Sequence, residues 1–243
     1  MADPAGTKQA FFDLHCHTSY SFDSLARPRD QVHAASARGL THLAITDHDT
    51  IDGALEGRDQ APPGLTVIIG EEVKTADGDL ICLFLERALA PGLPAAETIA
   101  AARAQGGLVG IPHPFDRHRN SMLRDARLEA LVPLVDWVEA WNARVIGRDA
   151  NEQAALFARD HGLPGLAASD AHSSLEVGVA YNSARYDPTT GHDPATAGGL
   201  RSLLGRHEMH TGRASYYVRG LTPIAKALNR FRGKDSDRAD EPR

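Results

Sequence analysis

The sequence predicts an α/β protein in which strands and helices alternate along the chain. Seven short apolar runs between residues 11 and 169 have the composition of strands, and segments with helical start and stop residues lie between them. Alternation of this kind implies parallel βαβ units. Periodicity alone leaves two arrangements open, a doubly wound sheet and a closed barrel.

Each predicted element can be placed in order. The strand candidates are FFDLH (11–15), HLAIT (42–46), TVIIG (66–70), LICLFL (80–85), LVGIP (108–112), WVEAW (137–141) and GLAAS (165–169). The helix candidates are 28–39, 52–60, 94–105, 124–131 and 148–161. Pro28 suits the first turn of the first helix, and Gly39 suits its end.

The pattern changes after residue 176. VGVAYNSARY indicates one more strand, DPATAGGLRSLLGRH a helix, and LTPIAKALNRFR a last amphipathic helix. We therefore expect an N-terminal arm over 1–10, one main domain over 11–176 and a C-terminal segment over 177–232 packed on it. The charged stretch at 233–243 has no apolar anchor and predicts a flexible tail.

Composition excludes several classes of protein. Of the 243 residues, 42% are hydrophobic and 24% are charged, which is ordinary for a globular protein. No apolar run approaches the roughly 20 residues of a membrane span, and MADPAGTKQA lacks a secretory pattern, so we expect a cytoplasmic protein with no membrane partner. Cys16 and Cys82 lie in apolar runs and predict buried free thiols. The net charge of −6 disfavours a broad nucleic-acid surface.

The stretch FFDLHCHTSYSFDS, residues 11–24, is the first sign of a functional site. If a strand continues through it, His15 and His17 point to one face and Cys16 points to the other. Two imidazoles side by side are natural metal ligands, and a shell without the thiolate favours a site of nitrogen and oxygen ligands. Taken alone, the stretch is equally consistent with two surface histidines at a strand end.

Four further polar clusters follow or finish predicted strands: ITDHDT (45–50), GEEV (70–73), IPHPF (111–115) and SDAHS (169–173). Singly, each has an ordinary explanation, such as a helix cap, an acidic turn, a stiff proline loop or an exposed histidine. In a parallel barrel, however, the carboxyl ends of the strands meet at one face, so these groups would converge. Their joint occurrence predicts a metal site of histidine and carboxylate ligands.

These motifs carry a family resemblance. In order along residues 11–173, HCH, TDH, GEE, PHP and SDAH resemble the PHP (polymerase and histidinol phosphatase) superfamily, in particular its stand-alone bacterial metal-dependent phosphoesterases. The resemblance implies a distorted seven-stranded (β/α) barrel with a short C-terminal extension. It also implies two or three divalent metal ions, namely manganese, zinc or iron.

The ligands follow from the same resemblance. It implies His15, His17, Glu72 and Asp170 for one ion, Glu72 and His113 for a second, and Asp23, His48 and His172 for a third. Glu72 is preferred to Glu71 because the family places its carboxylate two residues after the glycine. Many members add a histidine from the strand after GEE, but DGDLICLFL has only Asp79 and Cys82. Either Asp79 substitutes, or the second ion has fewer protein ligands.

The function implied is hydrolysis of a small phosphomonoester, a nucleotide or a sugar or amino-alcohol phosphate, by a metal-activated hydroxide. Asp47, His48 and His172 are the expected catalytic residues, with Asp47 orienting a histidine. The expected substrate-binding residues are Arg117, His118, Arg119, Asn142 and Arg144. Three alternatives stay open: a 5′–3′ exonuclease acting on short oligonucleotides, a non-catalytic metal-binding regulatory module, and an amidohydrolase-like enzyme, although we identify no bridging lysine for the last.

Overall fold

A single sheet, curled into a nearly closed barrel, organises the molecule. The computed structural model describes residues 6–117, 125–147 and 149–231. Within these ranges the strands are β1 (Lys8–Asp13), β2 (His42–Ile45), β3 (Thr66–Lys74), β4 (Asp79–Leu83), β5 (Leu108–Ile111), β6 (Trp137–Asn142), β7 (Gly165–Ala168), β8 (Tyr181–Tyr186) and β9 (Glu208–His210). Their order in the sheet is β7-β6-β5-β4-β3-β2-β1-β8-β9.

Helices pack against the strands of the sheet. The α-helices of the described ranges are α1 (Pro28–Ala37), α2 (Asp52–Asp59), α3 (Ala95–Ala104), α4 (Asp125–Leu131), α5 (Asp149–Asp160), α6 (Ala197–Leu203), α7 (Tyr216–Arg219) and α8 (Leu221–Phe231). The first begins at Pro28, as predicted, and is followed by Gly39 with φ 80°. In this part of the chain, none of the helices has the length and hydropathy that crossing a bilayer requires.

All seven predicted strands coincide with β1 to β7, but the expectation of parallel units throughout is wrong at β4. This strand is antiparallel to both β3 and β5. Only four residues, 75–78, separate β3 from β4, whereas a parallel crossover needs a dozen or more. Because β3 extends to Lys74, Glu71 and Glu72 lie within a strand rather than after it.

Side chains close the barrel between β7 and β8. The amide of Asn182 accepts a hydrogen bond from Ala167 N at 2.9 Å and donates to Ala167 O at 2.7 Å. At the end of β1, the carboxylate of Asp13 accepts hydrogen bonds from Ser169 N at 3.1 Å and Gly178 N at 3.0 Å. The barrel fold is therefore confirmed, although the described sheet has nine strands rather than seven, because β8 and β9 add antiparallel strands beside β1.

The interior of the barrel is filled by apolar side chains from its strands. Phe12, Ile81, Leu83 and Trp137 are among its fully buried members. The indole of Trp137 needs the space left by Gly110, where an added Cβ would lie 1.9 Å from Trp137 Cε2. A packed interior of this kind leaves the strand ends as the place for polar chemistry.

Strand β1 and helix α8 are the first and last elements of the described residues. Strand β1 begins at Lys8, inside the predicted arm 1–10. The predicted C-terminal segment contributes β8, β9, α6, α7 and α8 as far as Phe231. The predicted tail 233–243 lies outside the described residues, as do 1–5.

Candidate metal centre

The first two predicted ligands follow β1 at one end of the barrel. His15 and His17 flank Cys16, which forms an isolated parallel bridge with Ala171 in the segment after β7. His17 N donates to Ala171 O at 2.8 Å, so the extended backbone continues past the end of β1. Both imidazoles are fully buried, and they share one face, as the alternation of a strand predicts.

His15, His17, Glu72 and Asp170 converge on one point. His15 Nε2 and His17 Nε2 lie 2.9 Å apart, and Glu72 Oε2 is 3.2 Å from each of them. Asp170 Oδ1 lies 3.6 Å from His15 Nε2 and 3.5 Å from His17 Nε2. An ionised carboxylate only accepts hydrogen bonds, and a neutral imidazole protonated at Nδ1 presents an unprotonated Nε2. The arrangement therefore has the donor atoms and the charge of a cation site.

Glu72 also reaches a second group of side chains. Its Oε1 lies 3.1 Å from His113 Nε2, while its Oε2 lies 3.5 Å from His48 Nδ1. His113 and Asp170 have φ angles of 28° and 52°, which non-glycine residues rarely adopt. Backbone strain of about 1–3 kcal/mol per residue is typical of functional sites. Of the four non-glycine residues with positive φ in the described ranges, these two have side chains directed at Glu72 and its neighbours.

A third group surrounds Asp23. Its Oδ2 lies 3.1 Å from His172 Nε2 and 3.5 Å from His48 Nε2. The ring of His17 stacks on that of His48, with centroids 4.7 Å apart, so this group adjoins the first. Asp23 Oδ1 is buried and has no hydrogen-bond partner in the described part of the chain. A buried carboxylate oxygen without a donor is costly, and a bound cation would satisfy it.

The residues present therefore fit metal ions. Within each of three groups the candidate ligand atoms lie within 4.8 Å of one another: His15, His17 and Asp170; His15, Glu72 and His113; and His17, Asp23, His48 and His172. Imidazole nitrogens with carboxylate oxygens suit divalent ions such as zinc, manganese and iron. Among the described residues, Asp79 belongs to none of these groups, so the alternative in which Asp79 substitutes for the family histidine finds no support here.

Carboxylate Glu139 holds the ring of His15 from behind. Glu139 Oε1 lies 2.6 Å from His15 Nδ1, and Glu139 Oε2 accepts hydrogen bonds from His113 N at 3.0 Å and Asn142 Nδ2 at 2.9 Å. The hydrogen bond at Nδ1 leaves Nε2 of His15 as the ligand nitrogen. None of the five motifs includes Glu139. Its signal in the sequence is a carboxylate within the apolar run WVEAW.

Asp47 acts on His17 through a hydroxyl group. Ser21 Oγ donates to Asp47 Oδ1 at 2.7 Å and lies 3.0 Å from His17 Nδ1. Asp47 also accepts hydrogen bonds from Thr18 N and Thr18 Oγ1, each at 2.6 Å. Gly53 makes room for this carboxylate, since a Cβ there would lie 2.0 Å from Asp47 Oδ2. Asp47 thus supports a predicted ligand from behind, and Ser21 is the link that the sequence did not reveal.

The pKa values of the two histidines beside Asp23 are shifted in opposite directions. Burial lowers the pKa of His48, but the carboxylates of Glu72 and Asp23 outweigh it and raise that pKa to about 10. Burial lowers the pKa of His172 to about 4, and the nearby Asp23 only partly opposes this shift. His172 Nδ1 lies 2.9 Å from Asp170 O, which leaves Nε2 facing Asp23. His172 is therefore a neutral imidazole with its ligand nitrogen directed into the site.

The predicted substrate-binding residues have varied positions. Arg117 is exposed in the turn after β5, whereas His118 and Arg119 lie outside the described residues. Arg144 is engaged by Glu176 Oε1 at 2.6 Å and Thr222 Oγ1 at 2.6 Å. Asn142 donates to Glu139 Oε2 at 2.9 Å and Asp170 Oδ2 at 3.1 Å. The contacts of Asn142 and Arg144 thus hold protein groups around the centre, and their role toward substrate stays a prediction.

The C-terminal helix α8 is tied to the loop that carries Asp23. Asn229 is buried, and its Nδ2 donates to Phe22 O at 3.1 Å and Ser24 O at 3.0 Å. Lys226 Nζ lies over the ring of Phe22, 5.2 Å from its centroid. These contacts join positions more than two hundred residues apart in the chain, so no local pattern predicts them.

Comparison with known proteins now identifies the family. A family model described as "PHP domain" matches residues 13–160, and one described as "PHP-associated" matches residues 148–191. The chain belongs to the PHP domain family. This confirms the resemblance drawn from the five motifs. The second model overlaps α5 and ends between β8 and α6, so it begins earlier than the predicted C-terminal segment 177–232.

Relatives of this PHP chain include proteins of several descriptions. An uncharacterized protein of Methanocaldococcus jannaschii is 31% identical over 172 residues, which cover 70% of this chain and 68% of that protein. A 5′–3′ exoribonuclease of Haemophilus influenzae is 43% identical over 65 residues, which cover 26% of this chain and 23% of the exoribonuclease.

Solved structures share the fold. A two-domain protein from Bacteroides vulgatus, described as containing a "predicted PHP-like metal-dependent phosphoesterase", has a TM-score of 0.68 at 19% identity, covering 87% of this chain and 67% of that one. Endonuclease Q, in complex with a 27-mer duplex carrying an abasic lesion, has a TM-score of 0.60 at 19% identity, covering 82% of this chain and 57% of that one. At these identities the likeness concerns the fold.

Proposed function

We propose that this PHP protein is a metal-dependent phosphoesterase that hydrolyses a small phosphomonoester. The carrying observation is the position of Glu72. One of its oxygens lies 3.2 Å from the Nε2 atoms of His15 and His17, and the other lies 3.1 Å from His113 Nε2. A carboxylate shared between two groups of ligands is the arrangement that a site with neighbouring metal ions requires.

His15, His17, Glu72, Asp170, His113, Asp23, His48 and His172 would hold divalent cations, which would supply Lewis-acid charge and lower the pKa of an attacking water. The chain's part is to bind and orient. His15, His17 and Asp170 present their ligand atoms from a buried strand end, and the contacts of Glu139 and Ser21 at the Nδ1 atoms fix the two rings. Ligands preset in this way need little rearrangement when a phosphate group binds.

Residue Arg117 is the best-placed candidate for phosphate recognition among the described predicted residues. It is exposed and lies four residues after His113, whose Nε2 contacts Glu72. A guanidinium group there can approach a phosphate bound at the centre and pair with two of its oxygens.

A nuclease activity is the second candidate. It is favoured by the likeness of one segment to an exoribonuclease and of the fold to Endonuclease Q. The net charge of −6 weighs against a long nucleic-acid track, because such a track needs clustered positive charge. We therefore give the small phosphomonoester precedence.

The test is an assay of the purified full chain. Bound metals are measured, and release of inorganic phosphate is followed from nucleotides, histidinol phosphate and short oligonucleotides with added manganese, zinc or iron. We expect phosphate release from monoesters. The His113→Ala and Asp170→Ala variants should retain less than about one hundredth of this phosphate-releasing activity. Removing a metal ligand should lower activity at least as much as removing a residue that supports the ligand. His33→Ala, at an exposed position of α1, is the matched control.

Metal binding without turnover of any phosphoester would refute the proposal in favour of a non-catalytic module. Cleavage of oligonucleotides without release of phosphate from monoesters would favour the nuclease. Full activity of both ligand variants would show that the centre lies elsewhere.

A further inference from the structure

A cavity of about 240 Å³ opens beside the third ligand group. Asp23 and His172 form one side of it, and the C-terminal helices form the other, with Val218 from α7 and with Ile224 and Ala225 from α8. The cavity is therefore continuous with the candidate metal centre. The side formed by the C-terminal helices belongs to none of the five motifs.

The lining of this cavity is largely apolar. Leu25, Ala26, Val218, Ile224 and Ala225 contribute its apolar side chains. Two of the larger ones are partly exposed, with 39% of Leu25 and 54% of Ile224 accessible to solvent. Apolar surface left open beside a polar site gains free energy when an apolar group covers it.

Outside the metal centre, the charged side chains that line the cavity already have hydrogen-bond partners in the protein. No lysine or arginine lines the cavity in the part of the chain that the structure describes. Asp30 lines it, but its two oxygens accept hydrogen bonds from Arg27 at 2.9 and 3.1 Å. Thr222 Oγ1 is engaged by Arg144, and Ser173 Oγ donates to Glu176. An anionic group finds no cation here, and a cationic group finds no uncommitted carboxylate outside the metal centre.

Hydrogen bonds fix helix α8, which forms one side of the cavity, relative to the metal centre. Asn229 of α8 donates to the carbonyl oxygens on either side of Asp23, at Phe22 and Ser24. At the start of the same helix, Arg144 donates to Thr222 at 2.6 Å. The cavity is thus a fixed extension of the centre, as a substrate pocket has to be.

We propose that this cavity binds the leaving group of the phosphoester and selects an uncharged, ring-containing alcohol. The inference rests on the proposed function and names its substrate class. An apolar cavity of about 150 Å³ suffices for benzene, so the volume here accommodates one substituted ring. With the phosphate at the centre, such a ring would cover Leu25 and Ile224.

The test compares benzyl phosphate with ethyl phosphate, whose leaving alcohols have similar acidity. In the unmodified chain with manganese, we expect kcat/KM to be at least about tenfold higher for benzyl phosphate, since apolar pockets discriminate by factors of this size. Ile224→Trp should fill the opening and lower kcat/KM for benzyl phosphate about tenfold, mainly through KM, while ethyl phosphate changes less than about twofold. Leu228→Trp is the matched control, because Leu228 is 42% exposed on the same helix and does not line the cavity.

A second readout does not depend on turnover. Dissociation constants of benzylphosphonate and methylphosphonate, measured by calorimetry, should differ in the same direction, and Ile224→Trp should remove the difference. Equal kcat/KM values for the two esters would overturn the cavity assignment. So would an equal loss of kcat/KM for both esters in an Ile224→Trp protein with an unchanged circular dichroism spectrum. Either result would leave the phosphoesterase proposal intact. Failure of both esters with every metal, while the two phosphonates bind alike, would refute both proposals.

Discussion

The Glu139→Gln substitution tests whether Glu139 fixes the orientation and tautomer of His15 as a metal ligand. In the structure, Glu139 is an acceptor at both oxygens: Oε1 toward His15 Nδ1 at 2.6 Å, and Oε2 toward His113 N at 3.0 Å and Asn142 Nδ2 at 2.9 Å. Glutamine has nearly the same size but replaces one acceptor by a donor. If its amide nitrogen faces His15, that nitrogen opposes the Nδ1 proton. If it faces the other way, it opposes two donors at once.

Either orientation therefore breaks at least one buried hydrogen bond. Loss of a residue that supports a ligating histidine typically weakens metal binding about 10- to 100-fold, which is about 1.4–2.7 kcal/mol. We expect the upper part of this range because burial is complete at His15 and nearly so at Glu139, so water cannot replace the lost acceptor. Placing a donor opposite the Nδ1 proton also favours the tautomer that protonates Nε2, the nitrogen directed at Glu72.

The assay is a competition titration of manganese or zinc against a chromogenic chelator, with circular dichroism as the check on folding. Glu71→Gln is the matched control. Glu71 is the buried neighbour of Glu72, but its Oε2 accepts a hydrogen bond from Leu89 N, away from the ligand groups. A folded Glu139→Gln protein whose Kd for metal stays within about twofold of the unmodified value would refute the reasoning.

Two further predictions concern stability. Gly53→Ala places a methyl group 2.0 Å from Asp47 Oδ2 and should lower the free energy of unfolding by about 1–3 kcal/mol, whereas Gly198→Ala, with open space around it, should raise it by about 0.4–1 kcal/mol. Urea titrations measure both, and equal effects would contradict the close contact. Burial lowers the pKa of His42 from 6.5 to about 4. Its neutral form is therefore favoured by folding, and stability should fall by about 3 kcal/mol between pH 6.5 and 4. His42→Leu should lose that part of the pH dependence, and an unchanged profile would contradict the assignment.

The side chains that converge at the centre could be predicted from the sequence, because a strand end is recognised from a few consecutive residues. His15 and His17 stand at alternate positions after an apolar run, and Asp170 and His172 repeat that spacing. The groups that support them were not recoverable in the same way. Asn229 contacts the Asp23 loop from the far end of the chain, and this depends on how α8 packs rather than on any spacing.

The fold shows a similar division. Apolar runs located β1 to β7, but strand direction depends on the connection between strands. The residues between β3 and β4 form a tight turn, in which Thr75 N donates to Gly78 O at 3.1 Å, and this turn reverses β4. The predicted third strand ends at Gly70, because two consecutive carboxylates are typical of a solvated turn, whereas β3 continues to Lys74. Buried carboxylates within a strand are rare unless they are paired or bind metal, and propensity cannot foresee that case.

In three of the candidate histidine ligands, Nδ1 contacts an oxygen atom of the protein, although the kind of oxygen differs in each case. The Nδ1 atom lies at a carboxylate oxygen of Glu139 for His15, at a hydroxyl for His17, and at a backbone carbonyl for His172. Each contact turns Nε2 toward the centre. At His48 both nitrogens face candidate ligand carboxylates, Nδ1 toward Glu72 and Nε2 toward Asp23, and these carboxylates raise its pKa to about 10. A ring in that position carries a proton near neutral pH until a cation competes for it, so metal binding at His48 is coupled to proton release in a way that binding at His172 is not.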